Sequence, residues 1–283
     1  MVPRINAAGR IGRADLAVQL LLTDDEEEAS AIASEINSYN ETRKDLVDEI
    51  ILDIDEMCAA DPSLLEQRLL ILSGEGWHHG VIGIAASRLV DRYSKPCLLI
   101  SREGGEARGS ARSVEGYSII KAISRNNAWL TRYGGHDQAA GCSLRSEDVE
   151  AFRKALLEDA KEEFDLMPVD ELTIDAVIAP KDINLKNVQQ MSVLEPFGCG
   201  NEAPVVMLPN CKIEAIYPLS EDRHIRLRLQ SGGKVFQALY FGMSSTRFPY
   251  VPGDTIDLAA SLDINEYNGE SSVSIKIKSV RPS

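Results

Sequence analysis

The sequence predicts an α/β domain followed by a small β-barrel, the two introduced by a long helix. Three observations carry this. Strand-like and helix-like segments alternate from Arg68 to Ser101, which implies α/β packing around a partly parallel, mixed sheet. Short strands with evenly spaced turns fill Val205 to Val280, the pattern of a barrel. Thr23 to about Cys58 keeps a helical apolar stripe through Ile32, Ile36, Tyr39, Leu46 and Ile50. The expected organisation is a connector over 1–66, an α/β domain over 67–167 and a barrel over 168–283.

Taken in order, Pro3 to Arg10 is a polar, small-residue segment, and Ala14 to Leu22 has helical spacing of Leu16, Leu20 and Leu21. Thr23 with Glu26 three residues on predicts a capping box, and the acids of Asp24 to Glu28 suit a helix first turn. A helix of this length reads as a connector. Arg68 to Ser73 is a buried-strand candidate, Val81 to Tyr93 a helix and Cys97 to Ser101 the next strand. Trp77-His78-His79-Gly80 falls between strand and helix, where α/β proteins often bind ligands. No nearby carboxylate or cysteine completes a ligand set, so the paired histidines favour a helix-start turn over a metal site. A helix from about Ser118 to Leu130, a short strand over Cys142 to Leu144 and a helix from Ser146, its expected cap, to Phe164 follow; Met167-Pro168 breaks the last.

The remainder changes character. Leu172 to Ile178 alternates as a strand, Asn184 to Leu194 reads as a short helix and Pro196 to Asn201 as a turn. Strands are expected at Val205–Leu208, Lys212–Tyr217, His224–Gln230, Val235–Phe241, Thr255–Ile264 and Ser272–Val280, with a hairpin at Asn268-Gly269.

Composition bounds the function. The 283 residues, 44% hydrophobic and 26% charged, describe a globular chain of about two domains. No apolar run is long enough for a membrane span, and the N-terminus lacks the features of a secretory signal, so a cytoplasmic location is expected. Five cysteines without C-x-x-C spacing argue against a disulfide framework or a structural zinc. The net charge of −14 is unevenly spread: residues 1–66 hold 5 basic and 16 acidic residues, whereas residues 100–145 hold 7 and 4.

That basic block contains the two stretches that carry chemistry. Arg132 to Gly141 places Gly134 and Gly135 before His136, predicting a tight turn whose backbone N–H groups and imidazole suit a phosphate. Glu106 to Ser113, read as a strand, puts Arg108, Ser110 and Arg112 on one face, two guanidinium forks and a hydroxyl matched to phosphate oxygens. In the barrel, His224, Arg226 and Arg228 alternate with Ile225, Leu227 and Leu229, giving one basic and one apolar face. Tyr217, Phe236, Tyr240, Phe241 and Tyr267 are candidate stacking faces for bases.

Five segments, in order, carry a family resemblance: PRINAAGR at 3–10, GEGWHHGVIG at 74–83, GSARS at 109–113, GGH at 134–136 with AAG at 139–141, and PFGCGN at 196–201. Together they resemble the C-terminal part of the RecJ family, the 5′→3′ single-strand-specific exonucleases of the DHH phosphoesterase superfamily. The resemblance implies a DHH-associated α/β domain followed by an OB-fold. It implies binding of single-stranded DNA, or RNA, and of its 5′ phosphate, in DNA repair and recombination. Arg10 joins Ser110, Arg112 and His136 as an expected phosphate contact. A single-strand-binding protein or other repair proteins are candidate partners. The family's metal-binding half, with its Asp-His-His signature and Mn²⁺ or Mg²⁺, is expected ahead of Pro3, so this chain is expected to bind rather than cut. The alternatives are a stand-alone nucleic-acid-binding module and a fragment of an oligonucleotide or cyclic-dinucleotide phosphoesterase.

Overall fold

A computed structural model describes residues 2–163, 171–198, 200–267 and 269–283, with the side chains of Glu163 and Tyr267 left out. Phe164, Met167-Pro168, Cys199, the Tyr267 ring and Asn268, each singled out above, lie outside what is described. The chain divides into two compact units, Met1–Asp170 and Glu171–Ser283.

The first unit opens with α1 (Val2–Ile11), so the PRINAAGR segment is helical, and α2 (Ala14–Leu22). The connector is a single helix of 35 residues, α3 (Glu26–Ala60). Its cap differs from the expected capping box. Asp25 is the N-cap, its Oδ1 accepting from the backbone N–H groups of Glu27 (2.8 Å) and Glu28 (3.0 Å), while the Thr23 hydroxyl donates to the Glu28 carboxylate. An aspartate two residues nearer the helix competes better for the orphan first-turn donors.

The sheet comprises β1 (Leu70–Glu75), β2 (Cys97–Glu103), β3 (Glu106–Arg112), β4 (Leu130–His136) and β5 (Ala139–Arg145), in the order β1-β2-β3-β5-β4. Only β1–β2 is parallel, joined by the crossover helix α4 (Ile82–Tyr93). Leu70 to Leu72 and Leu98 to Ile100 are buried on both faces, which is why they read as unbroken apolar runs. One face packs Leu69, Ile71, Leu98, Ile100, Ala111 and Cys142 against α5 (Ile119–Arg125) and α6 (Val149–Glu163). The opposite face packs Leu70, Leu72, Cys97 and Leu99 against α3 and α4. Ion pairs Arg88–Asp48 and Arg92–Asp55 tie α4 to α3, and the Trp77 indole N–H donates to Asp53 Oδ2 at 2.9 Å.

Three further expectations are corrected here. Gly134, Gly135 and His136 lie on β4 rather than in a turn; the turn is Asp137-Gln138, closed by the pair His136–Ala139. Its tip is held by Ser113 N–H donating to the Gln138 carbonyl and Ile119 N–H to that of Asp137. Ser146 does not cap a helix: its hydroxyl donates to the carbonyls of Gly104 and Glu106, and α6 begins after a 3-10 turn. The helix expected over 118–130 stops at Arg125 and continues as a 3-10 turn over Asn127–Trp129.

In the second unit, Leu172 to Ile178 forms only the two-residue β6 (Ala176–Val177), followed by α7 (Leu185–Met191), capped by Asn184. The two strands expected between 205 and 217 are one, β7 (Val205–Leu219), which passes through Asn210 at φ 54°. With β8 (His224–Ser231), β9 (Lys234–Phe241), β10 (Thr255–Tyr267) and β11 (Glu270–Pro282) it closes a barrel, β10 pairing with both β11 and β7. Contact between β9 and β11 is parallel, and Leu208, Ile225, Leu227, Leu229, Leu258 and Ile275 fill the interior.

Candidate nucleic-acid interface

α4 covers β2 and the near side of β3, and leaves β5 and β4 open on that face. Cross-strand register then decides which side chains meet, because directly opposed residues share a face. Arg112 pairs with Ala139, which pairs with His136; Ser110 with Gly141, which pairs with Gly134; Arg108 with Ser143, which pairs with Arg132. Along part of this face, Arg108, Ser110, Arg132, Gly141 and Ser143, with Glu106 and Arg145, line a groove of about 790 Å³.

The alternation expected of β3 is observed: Ala107, Gly109 and Ala111 are buried, Arg108 and Ser110 line the groove, and Arg112 lies on the same face just beyond it. β3 is an interior strand, so its arginines are not the guards of a free edge. Arg112 is half-buried, donating to its neighbour's carbonyl, Ala111 O, at 2.8 Å and to Ser110 Oγ at 3.4 Å. Burial first, and the positive charge of Arg10 second, push its guanidinium down from the usual value. An anion between the two arginines would reverse the second cause. Arg10 comes near Arg112 from α1, its Nη1 donating to Gly80 O at 3.5 Å. Close approach is possible because Gly80 and Gly83 lack side chains: a Cβ on Gly80 would lie 2.1 Å from Arg10 O. Among the described residues, neither Arg10 nor Arg112 has a carboxylate partner.

His136 is exposed, its Nδ1 accepting from Gln138 N–H at 3.3 Å, which leaves Nε2 to donate outward. Gly135, at φ 153°, could not carry a Cβ, which would lie 2.3 Å from Ala139 O, whereas a Cβ on Gly134 would meet nothing. Arg132 and Ser143 join the groove although the sequence does not single them out. A signal is present in the period-two spacing of Arg132, Gly134 and His136, but adjacent glycines read more readily as a turn.

On the barrel, Ile225, Leu227 and Leu229 point inward, and His224, Arg226 and Arg228 outward. Arg226 lies over the Tyr217 ring at 5.3 Å, and His224 meets Phe241 edge-on at 5.3 Å. Arg228 is paired with Glu214 at 2.7 Å. Tyr217 and Phe241 are exposed, whereas Phe236 and Tyr240 pack against the core.

Among the described residues, no three His, Cys, Asp or Glu side chains gather as a metal site, and His78 and His79 stack on each other.

Residues 64–162 match the DHHA1 domain, and residues 174–279 match the RecJ OB domain. The chain belongs to the RecJ family. It is 34% identical over 98% of its length to the single-stranded-DNA-specific exonuclease RecJ of Bacillus subtilis, of which it spans 36%. Two crystal structures of RecJ from Thermus thermophilus, one with Mn²⁺ and one with Mg²⁺, match 99% of the chain with TM-scores of 0.79 and 0.76 at 30% and 29% identity. The chain covers 40% and 42% of those RecJ chains. The OB assignment agrees with the closed barrel and its parallel β9–β11 contact. No helix among the described residues is long and apolar enough to cross a membrane.

Proposed function

We propose that this chain is the strand-gripping portion of a RecJ-type 5′→3′ exonuclease, acting on single-stranded DNA in repair and recombination. The observation that carries the proposal is the sheet face, open over β5 and β4, on which Arg112, Ser110 and Arg108 stand in register with His136, Gly134 and Arg132. Arg10, Ser110 and Arg112 hold the 5′-terminal phosphate, with His136 and the exposed β4 backbone beside it. Glycine and alanine on the floor let the sugar-phosphate backbone lie close to the sheet. The outer barrel face, with Arg226, Tyr217 and Phe241, binds single-stranded bases by stacking and charge. Metal-dependent hydrolysis, with Mn²⁺ or Mg²⁺, belongs to the remainder of the longer proteins this chain matches.

The test is fluorescence-anisotropy titration with 5′-phosphorylated and 5′-hydroxyl single strands, paired with a digestion assay in Mn²⁺. Tighter binding of the phosphorylated strand without cleavage is expected. Equal affinity for both strands, or robust turnover by this chain alone, would overturn the reading.

A further inference from the structure

The end of this sheet face away from Arg112 has its own chemistry. Arg108 and Arg132 flank Ser143 in one cross-strand row, four residues along β3 from Arg112. At a strand rise of about 3.3 Å per residue, that separation is roughly 13 Å. Adjacent phosphates of a single strand, joined through one sugar, are spaced comparably to two strand residues. A strand anchored by its end at Arg112 therefore brings an internal phosphate over this row.

The row is also free to receive it. Arg132 is exposed and has no carboxylate partner among the described residues. Arg108 has only a loose contact with Glu106 at 4.0 Å. Thr131 donates to the Ser143 carbonyl, and the Ser143 hydroxyl has no partner among the described residues. One row farther on, Glu106 pairs with Arg145, whose guanidinium is engaged by Glu147 (2.7 Å) and Asp148 (2.8 Å). Three carboxylates there face one guanidinium, so attraction for phosphate ends at the Arg108–Arg132 row.

We propose that Arg108, Arg132 and Ser143 form a second phosphate subsite, which takes an internal phosphate of a strand whose 5′ end lies at Arg10, Ser110 and Arg112. This rests on the strand-gripping function above. The subsite fixes the path of the strand along the sheet and makes affinity depend on length beyond the terminal nucleotide.

The experiment is a methylphosphonate scan, in which each of the first four phosphates of a 5′-phosphorylated oligonucleotide is neutralised in turn. Binding to wild type, Arg132→Ala and Arg132→Gln is measured by anisotropy. One internal position is expected to cost wild type several-fold in affinity and to cost either variant nothing further. Arg132→Ala should also reduce the salt slope by about 0.7, the value for one phosphate contact on a single strand. If every internal position costs the variants as much as wild type, the subsite is overturned while the terminal anchor stands. If the terminal phosphate has no effect in wild type, the underlying function fails first.

Discussion

Gly83 on α4 faces Arg112 on β3 with no space for a side chain between them. A Cβ on Gly83 would lie 3.0 Å from Arg112 Nη2 and 2.8 Å from Ser110 Oγ. Both atoms end rotatable side chains, so a methyl group can be admitted by displacing them. Alanine also exceeds glycine in helix propensity by up to about 1 kcal/mol. Gly83→Ala should therefore leave the melting temperature close to wild type. Affinity for a 5′-phosphorylated strand should fall roughly tenfold, the scale of one lost charge-assisted contact. Parallel thermal melts and anisotropy titrations check this.

Gly134 and Gly135 separate groove from fold. Gly135→Ala places a methyl group against Ala139 O and Ala140 Cα at a backbone angle that side chains rarely adopt. A loss of about 1–3 kcal/mol from backbone strain is expected, read as a lower midpoint in urea. Gly134→Ala meets open space and should keep the wild-type midpoint. Its methyl group stands on the face it shares with Ser110 and Gly141, so it should weaken strand binding instead. Equal midpoints for the two variants would contradict the structure.

How much of this is legible in the sequence depends on the range of the interaction. The alternation of Arg108, Ser110 and Arg112 is readable because a strand's faces follow from its own residues. The barrel is readable from repeated short strands and turns. The partnership of Arg108 with Arg132 is not, because register between β3, β5 and β4 is set by pairing across 24 residues of chain. The Gly134-Gly135 pair misleads for a local reason: glycine serves both turns and close-packed strands, and only the Ala139 carbonyl distinguishes them. Capping at Thr23 fails because Asp25 offers the same donors a nearer acceptor.

The buried thiols give a pH prediction. Burial pushes Cys142 up from the ordinary thiol value of 9.0 to about 12, and Cys211 to about 11. The folded state thus favours the protonated thiol. Their contribution to stability is full below about pH 9 and is lost as pH rises through about 11 and about 12. Residue-resolved mass mapping after iodoacetamide at pH 8 should find Cys142 and Cys211 unmodified in the native chain and modified in urea. Rapid native alkylation of either would contradict this burial.

The barrel aromatics divide by exposure. Tyr217 and Phe241 are 40% and 54% exposed on the face that carries Arg226 and His224. Phe236 and Tyr240 pack against the barrel core, and Tyr240 meets Phe248 edge-on. Tyr217→Ala should weaken binding of a long single strand by about 1–3 kcal/mol if a base stacks on its ring. It should leave the ratio of 5′-phosphorylated to 5′-hydroxyl affinity unchanged, since the proposed site for the terminal phosphate is on the sheet of the other unit. Phe236→Ala should act in the opposite manner, lowering stability through loss of buried area and the cavity left behind. Anisotropy with strands of increasing length, alongside denaturant midpoints, separates these effects. Loss of the 5′-phosphate ratio in Tyr217→Ala would mean that the barrel, not the β3–β5–β4 groove, reads the strand's end.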